Sequence, residues 1–416
     1  MKNGKPYILF GVLHSPPTTG MHYLRNFRKV LGRENVVSIG PEGTDGLSWD
    51  LQRKHGTRFT HDVELPYKKH PELYTYTELF DIIRSKGYDT NFDLLVFSEP
   101  NLYPIVGDDG WKPDIPVCYH TIDTHRCPRN TMWTMAMGKM DFLSIANLYH
   151  KEVFETTHVI NMWDKKVIYN PPKKVIWSPT AADPDIHKRY PETQDYEKYD
   201  IVFMGAAGIE ILKGCPQHDD FEMDYKWSKV IHKTKYGQVV REEPEYPLFQ
   251  VGCPQDHRFG EYHHRAEMFC RLKFSKLLGK KFKVLQGNIN PPQYSEMLCK
   301  GKIVINSSIN FDVNMRTTEA MSCGRLLFTD HIFVGQREIL GEPGVTHVEY
   351  NKFYHPFNIN FDLDYDIIVN KIMKLISQPK DMERIQNAAY NWIRDTKQTY
   401  EERCRVLLRE CIGWGG

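Results

Sequence analysis

The chain alternates short, almost uninterrupted apolar runs with stretches whose apolar positions recur every three or four residues. KPYILFGVL (5–13) is the first such run, too continuous for a half-exposed strand and suited to a parallel strand buried on both faces. A Pro/Gly-rich loop, HSPPTTG (14–20), follows. MHYLRNFRKVLG (21–32) then places Tyr23, Leu24, Phe27, Val30 and Leu31 at helical spacing, with Gly32 as its C-cap. NVVSIG, FDLLVFS, IPVCYHTI, MDFLSIA and KKVIWSP repeat the strand pattern, and TYTELFDIIRSKG the helical one. This alternation predicts a doubly wound α/β domain over residues 1–180.

The pattern breaks within SPTAADPDIHKRYPETQDYEKYD, which is rich in Pro, Asp and Tyr and aperiodic. Residues 181–198 therefore read as a linker. A second α/β series follows over 199–380: YDIVFMG, the basic helical pattern HRAEMFCRLKFSKLLGKK, KFKVLQG, YSEMLCKG, KIVINSS, TTEAMSCG and RLLFTD. A long polar insertion without clear period occupies about 209–263. The segment 381–416 reads as largely helical, and it is amphipathic enough to pack back on the N-terminal domain.

A length of 416 residues exceeds one ordinary core and agrees with two domains. Lys and Arg total 54 against 53 Asp and Glu, so no global charge points to nucleic acid or an anionic membrane. Nine cysteines are scattered. The opening apolar run is too short to span a bilayer and lacks a cleavage pattern, so the expectation is a cytoplasmic protein with free thiols.

Ligands of open parallel sheets bind beyond the carboxyl ends of the strands. The loops that follow strands here are HSPPTTG, YHTIDTHR, MGAAG, LQGNINPPQ and NFDVNMRTTE. MGAAG lets backbone N–H groups approach an anion closely. In the basic segment Arg265 offers a planar fork suited to diphosphate oxygens, while most of its neighbours read as a solvated face. Glu319 falls in the first turn expected for TTEAMSCG. There it either accepts hydrogen bonds from a cis-diol such as a ribose, or caps the helix with Thr317 or Thr318 as the cap residue. Asn314 and Arg316 just before it favour a polar ligand. Cys323 reads as a small buried residue, and Gly324 as permitting close packing or the tight turn into the next strand.

NMRTTEAMSCGRLLFTD resembles the N-x-R-x-x-E-x-x-x-x-G…TD block of CgeB-like (spore-maturation type) glycosyltransferases, relatives of the family-4 group. IWSPTAADPDIH resembles that family's LPxAxDPxxH block. YDIVFMGAAG with Arg265 resembles its V-x-F-x-G…R start, and QYSEMLCKGKIVINSSI its Y…LxxSKIxLN block. The likeness covers about 178–350 well and the N-terminal half loosely. It implies a GT-B fold, two Rossmann-like domains facing each other across a cleft, and transfer of a sugar from a nucleotide-diphosphate sugar, UDP-sugar foremost, with no cofactor required. Residue by residue it implies Glu319 at the donor ribose, and Arg316, Asn314 and Arg265 near diphosphate and sugar. It also implies Gly205 after the first strand of that domain, Asn288 in the loop beside the nucleobase, and Gly20 facing the donor. The chain departs from the family-4 Glu-x7-Glu motif, having Phe311 where the first acid belongs and Asp312 one place off.

In the other half, YHTIDTHR supplies Asp123 as first candidate for a base or sugar contact and His120 as second, each with a helix cap or core histidine as the alternative. DPD (183–185) and DLD (362–364) spell a metal motif of another glycosyltransferase fold, but their places favour turns and caps. Cys215, His218, Cys253 and His257 in the insertion are of types that zinc accepts, and such pairs also arise by chance. The acceptor is unidentified: a modified DNA base, a protein or a glycan, with the insertion and 99–115 as candidate contacts. Alternative readings are a nucleotide-sugar epimerase and a non-catalytic nucleotide-sugar-binding protein.

Overall fold

The computed structural model describes residues 1, 4–12, 19–41, 61–66, 74–98, 111–122, 128–148, 151–162, 165–192, 195–204, 227–234, 237–244, 278–287, 294–307, 313–331, 335–350 and 365–416. The chain divides into two units, Met1–Thr180 with Tyr400–Gly416, and Ala181–Thr399.

Among the described residues the first unit holds nine strands: β1 (Ile8–Val12), β2 (Val36–Pro41), β3 (Val63–Leu65), β4 (Leu94–Ser98), β5 (Val117–Thr121), β6 (Phe142–Ile145), β7 (His158–Met162), β8 (Lys165–Tyr169) and β9 (Lys174–Trp177). Seven form a parallel sheet in the order β3-β2-β1-β4-β5-β6-β9. The order reverses direction at β1, next to β4, as in doubly wound sheets. Every residue of β4, β5 and β6 is buried, which is why these strands read as continuous apolar runs. β7 and β8 form a separate antiparallel hairpin.

The C-terminal helix Tyr400–Ile412 packs in this first unit, against the helix Thr19–Leu31; of the segment 381–416 read as one helical piece, residues 381–399 belong instead to the second unit. The Cys404 thiol donates to the Tyr23 carbonyl at 3.5 Å, Lys29 pairs with Glu401 at 3.1 Å, and the Tyr400 ring stacks on His22. Arg403 is buried and donates from Nε to the Pro179 carbonyl, tying the helix to the end of the β9 segment. Gly32, expected as a C-cap, has φ +97, and its amide closes onto the Arg28 carbonyl at the end of that helix.

The second unit contains β10 (Tyr199–Met204), a hairpin of β11 (Trp227–Thr234) and β12 (Gly237–Pro244), and then β13 (Val284–Gly287), β14 (Gly301–Asn306), β15 (Leu326–Asp330) and β16 (Val348–Tyr350). The parallel sheet runs β13-β10-β14-β15-β16. Its core is built from Ile201, Phe203, Ile303, Ile305, Leu326 and Phe328, covered by Ile368, Ile372 and Ile385 from two C-terminal helices. β11 and β12 lie within the insertion and pair antiparallel with Thr234 opposite Gly237, so two residues join them. No helix among the described residues is long and apolar enough to cross a membrane.

The aperiodic segment after β9 has no regular element, but it is fastened to the second unit. Ala182 bridges to Thr399, and Arg325, almost fully buried, pairs with Glu197 and the Tyr196 hydroxyl, each at 2.6 Å. Gly324 has φ +66, and a Cβ there would collide with the Arg189 side chain, so glycine satisfies both the turn and the close approach.

Candidate active site

In the second sheet the chain leaves β10 for β13 on one side and then returns to β14 on the other. The carboxyl ends of β10 and β14 thus flank the point where the strand order reverses, the place where such sheets bind ligands. β14 ends at Asn306, which is fully buried and organises the site. Its register partner on β15 is Thr329, and the Asn306 amide donates across that pair to Thr329 Oγ1 at 3.0 Å. The amide oxygen is thereby aimed the other way, where it accepts from Asn314 Nδ2 at 2.8 Å and Arg316 Nη1 at 3.1 Å. The Asn306 carbonyl accepts from the Tyr350 hydroxyl.

The helix carrying the remaining groups begins earlier than the sequence suggested, at Met315, and ends at Ser322. Its N-cap is Asn314, not Thr317 or Thr318, and Glu319 lies in the second turn instead of the first. The capping role weighed for Glu319 therefore fails on position, because a cap or dipole contact needs the first turn. Asn314 does not use its side chain to cap, having turned it to Asn306. Its Oδ1 is buried with no hydrogen-bond partner, and so is Arg316 Nε. The Arg316 guanidinium sits 5.2 Å over the Phe203 ring of β10.

Arg316 is 8% exposed and Glu319 4%, one turn apart on the same helix. Tyr294, at the start of the helix Tyr294–Cys299, completes the group by hydrogen-bonding to Arg316 and to Glu319. Burial pushes the Glu319 carboxyl up to about 7, against the opposing pull of Arg316 and of the Tyr294 hydroxyl. Burial likewise raises the Tyr294 phenol. On another side, His187 Nε2 lies 3.5 Å from Glu319 Oε1. The cluster thus presents a buried cation with an unused N–H, a carboxyl close to half-ionised at neutral pH, and an unpaired amide oxygen. An uncompensated polar set of this kind is costly to fold and suited to a polar, anionic ligand.

Tyr294 and His187 were missed as site residues, although each stands in a block that carries the resemblance: the tyrosine of QYSEMLCKGKIVINSSI and the last residue of IWSPTAADPDIH. Cys323 is buried beside Cys299, and burial raises its thiol, which therefore stays protonated at neutral pH. Asp183 of DPD serves a turn, accepting from the Asp185 amide through Oδ1 and from the Ile186 and His187 amides through its carbonyl.

In the first unit, Gly20 is buried in the opening turn of the helix Thr19–Leu31. His120 is fully buried near the end of β5, in one register row with Ser98 and Ser144. Its Nδ1 lies 2.9 Å from Ser144 Oγ, its ring packs on Tyr23, and its Nε2 has no partner. Burial lowers it to about 3, so the imidazole is neutral across the physiological range. Asp123, Gly205, Arg265, Asn288, Phe311, Asp312, the DLD sequence and the four insertion residues Cys215, His218, Cys253 and His257 lie outside the described residues.

Residues 259–409 match a family model described as glycosyl transferase-like. Curated proteins give no match. Among solved structures, HepE from Anabaena, crystallised with UDP and glucose, is similar with a TM-score of 0.51 and 14% identity, covering 97% of this chain and 98% of that one. Sucrose-phosphate synthase from Thermosynechococcus elongatus is similar at a TM-score of 0.50 and 11% identity, over 95% of this chain and 96% of that one. Together with the two parallel sheets, these likenesses give the fold: the chain has the GT-B fold, with two Rossmann-like domains.

Proposed function

We propose that this protein is a glycosyltransferase that moves a sugar from a nucleoside-diphosphate sugar to an acceptor, with the donor held by the second unit. The observation that carries this reading is the Arg316–Glu319–Tyr294 cluster at the reversal point of the second sheet, with Arg316 Nε buried and unpartnered. The glycosyl transferase-like match over 259–409 includes all three residues, and the similar HepE structure holds UDP and glucose. A UDP-sugar is accordingly the donor proposed here. The epimerase reading gains no support from these comparisons.

In this proposal Glu319 accepts hydrogen bonds from the ribose diol. Arg316, through its free Nε, donates to the diphosphate, and the unpaired Asn314 Oδ1 accepts from a sugar hydroxyl. The amides of the first helical turn after Asn314 have no side-chain cap and add their partial positive charge on the anionic side. Arg265, Gly205, Asn288 and Gly20 keep the donor-binding roles that the family resemblance assigns to them. Transfer breaks the bond between the anomeric carbon and the diphosphate oxygen, whose electron pair leaves with the nucleoside diphosphate. A bond forms from the acceptor hydroxyl oxygen to that carbon, and the hydroxyl proton passes to a base. Asp123 is the proposed base or sugar contact, and His120, buried and neutral three residues earlier, is the second candidate. The acceptor side is proposed to involve the insertion, whose β11–β12 hairpin interrupts the second domain.

The test is titration calorimetry of UDP against the wild type and Glu319→Ala. A carboxylate accepting two ribose hydroxyls contributes about 3 kcal/mol, so affinity should fall about a hundredfold. UDP affinity unchanged within about twofold would remove Glu319 from the donor site.

A further inference from the structure

We propose that His187 is a positioning residue for Glu319: it fixes the carboxylate for a ribose diol. This inference rests on the donor-site reading above and adds to it a residue from outside the Arg316–Glu319–Tyr294 cluster.

The residue is placed with unusual definition. In the turn Asp183–His187, the His187 amide and the Ile186 amide both close onto the Asp183 carbonyl, and Asp183 Oδ1 accepts from the Asp185 amide. Pro184 suits the first central position of such a turn. The imidazole folds back so that Nδ1 accepts the Asp183 backbone N–H at 2.9 Å. An acceptor Nδ1 carries no proton, so in the neutral ring the proton sits on Nε2. That nitrogen is 3.5 Å from Glu319 Oε1, and both side chains are almost fully buried. The turn is also fastened to the helix that bears Glu319, because Ser322 Oγ donates to the His187 carbonyl at 2.5 Å. Donor and acceptor are therefore referenced to the same helix.

The consequence concerns the bound state. A separation of 3.5 Å is at the long edge of hydrogen bonding, and such contacts tighten when the ligand arrives. With Nε2–H donating to Oε1 and the Tyr294 hydroxyl also engaged, the carboxylate cannot rotate freely. Its remaining lone pairs face in a fixed direction, and a vicinal pair of hydroxyls is read as a pair. The same N–H favours the ionised carboxylate, the form that accepts from both hydroxyls, against the burial that favours the acid. A ring held by its backbone contact and aimed by its tautomer is a common way to orient a neighbouring group.

The experiment measures discrimination between a ribonucleotide and its 2′-deoxy counterpart. UDP, GDP and ADP are titrated first, and the tightest binder is compared with its 2′-deoxy form on the wild type, His187→Phe, His187→Gln, Ser322→Ala and Glu319→Ala. The expectation is that the wild type prefers the ribonucleotide, that His187→Phe reduces this preference at least fivefold, and that His187→Gln, which restores an N–H donor, recovers part of it. Ser322→Ala removes the fastening of the turn without touching the imidazole and should leave the preference intact. If Glu319→Ala abolishes discrimination while both His187 variants retain it in full, His187 is only a structural residue and the inference is wrong. Equal loss in Ser322→Ala and His187→Phe would likewise assign the effect to the turn and overturn the role of Nε2. If no nucleotide binds, or Glu319→Ala keeps the preference, the donor-site reading itself fails, and this inference with it. Should His187→Phe fail to fold, His187→Leu, which also lacks the N–H, takes its place under the same criteria.

Discussion

Replacing Glu319 with glutamine should make the free protein less sensitive to pH. The carboxyl is buried and rises from an ordinary 4.5 to about 7 in the folded chain. A carboxyl raised in the folded state stabilises the fold while both states are protonated, and that contribution is lost as pH climbs from 4.5 through about 7. At about 1.4 kcal/mol per pH unit the full span is about 3 kcal/mol, of which roughly 2.5 falls between pH 5 and pH 8. Glu319→Gln has nothing to ionise. The stability of the wild type minus that of the variant should therefore fall by roughly 2 to 3 kcal/mol from pH 5 to pH 8. Urea denaturation at a series of pH values measures this. Hydrogen exchange of peptides from β14 and β15 locates the transition in the second unit, since a two-unit chain need not unfold in one step. The difference should be largest without nucleotide, because a diol ligand stabilises the carboxylate. A wild-type-minus-variant difference that stays flat within about 0.5 kcal/mol over that range would refute a carboxyl perturbed by burial.

Asn306→Ala should destabilise the second unit by about 3 kcal/mol, because it removes the acceptor shared by Asn314 and Arg316 and the donor to Thr329, leaving a buried guanidinium short of a partner; chemical denaturation measures this, and a loss below about 1 kcal/mol would contradict it. Gly324→Ala should cost about 1 to 3 kcal/mol, for positive φ and for displacement of Arg189, and the same denaturation series shows it; a neutral result would mean that the turn relaxes freely.

The sheet strands were legible in the sequence because strands buried on both faces leave an uninterrupted apolar signature, and β4, β5 and β14 are of that kind. β3 and β16 were not, being three residues long and defined by their pairing with a neighbour. The β11–β12 hairpin escaped for a related reason: its turn lacks an Asn-Gly or Asp-Gly pair, and Lys, Arg and Glu stand throughout its strands.

At the site, residue types and local spacing were enough to single out Asn314, Arg316 and Glu319. They lie within six positions of one another, and a helix brings such residues together whatever surrounds it. The chain's own order also pointed to the loops that follow these strands as the place for a ligand. What spacing could not supply is the company these groups keep. Asn306 holds Arg316 only because β14 and β15 are in a register that turns its amide oxygen away from Thr329. Tyr294 comes from the preceding helix. His187 comes from an aperiodic stretch more than a hundred residues earlier, folded back by a turn. Hydrogen-bond partners and the loss of water around a carboxyl are properties of packing, so the tertiary structure alone decided that Glu319 sits close to half-ionised at neutral pH, with Arg316 Nε left unpaired.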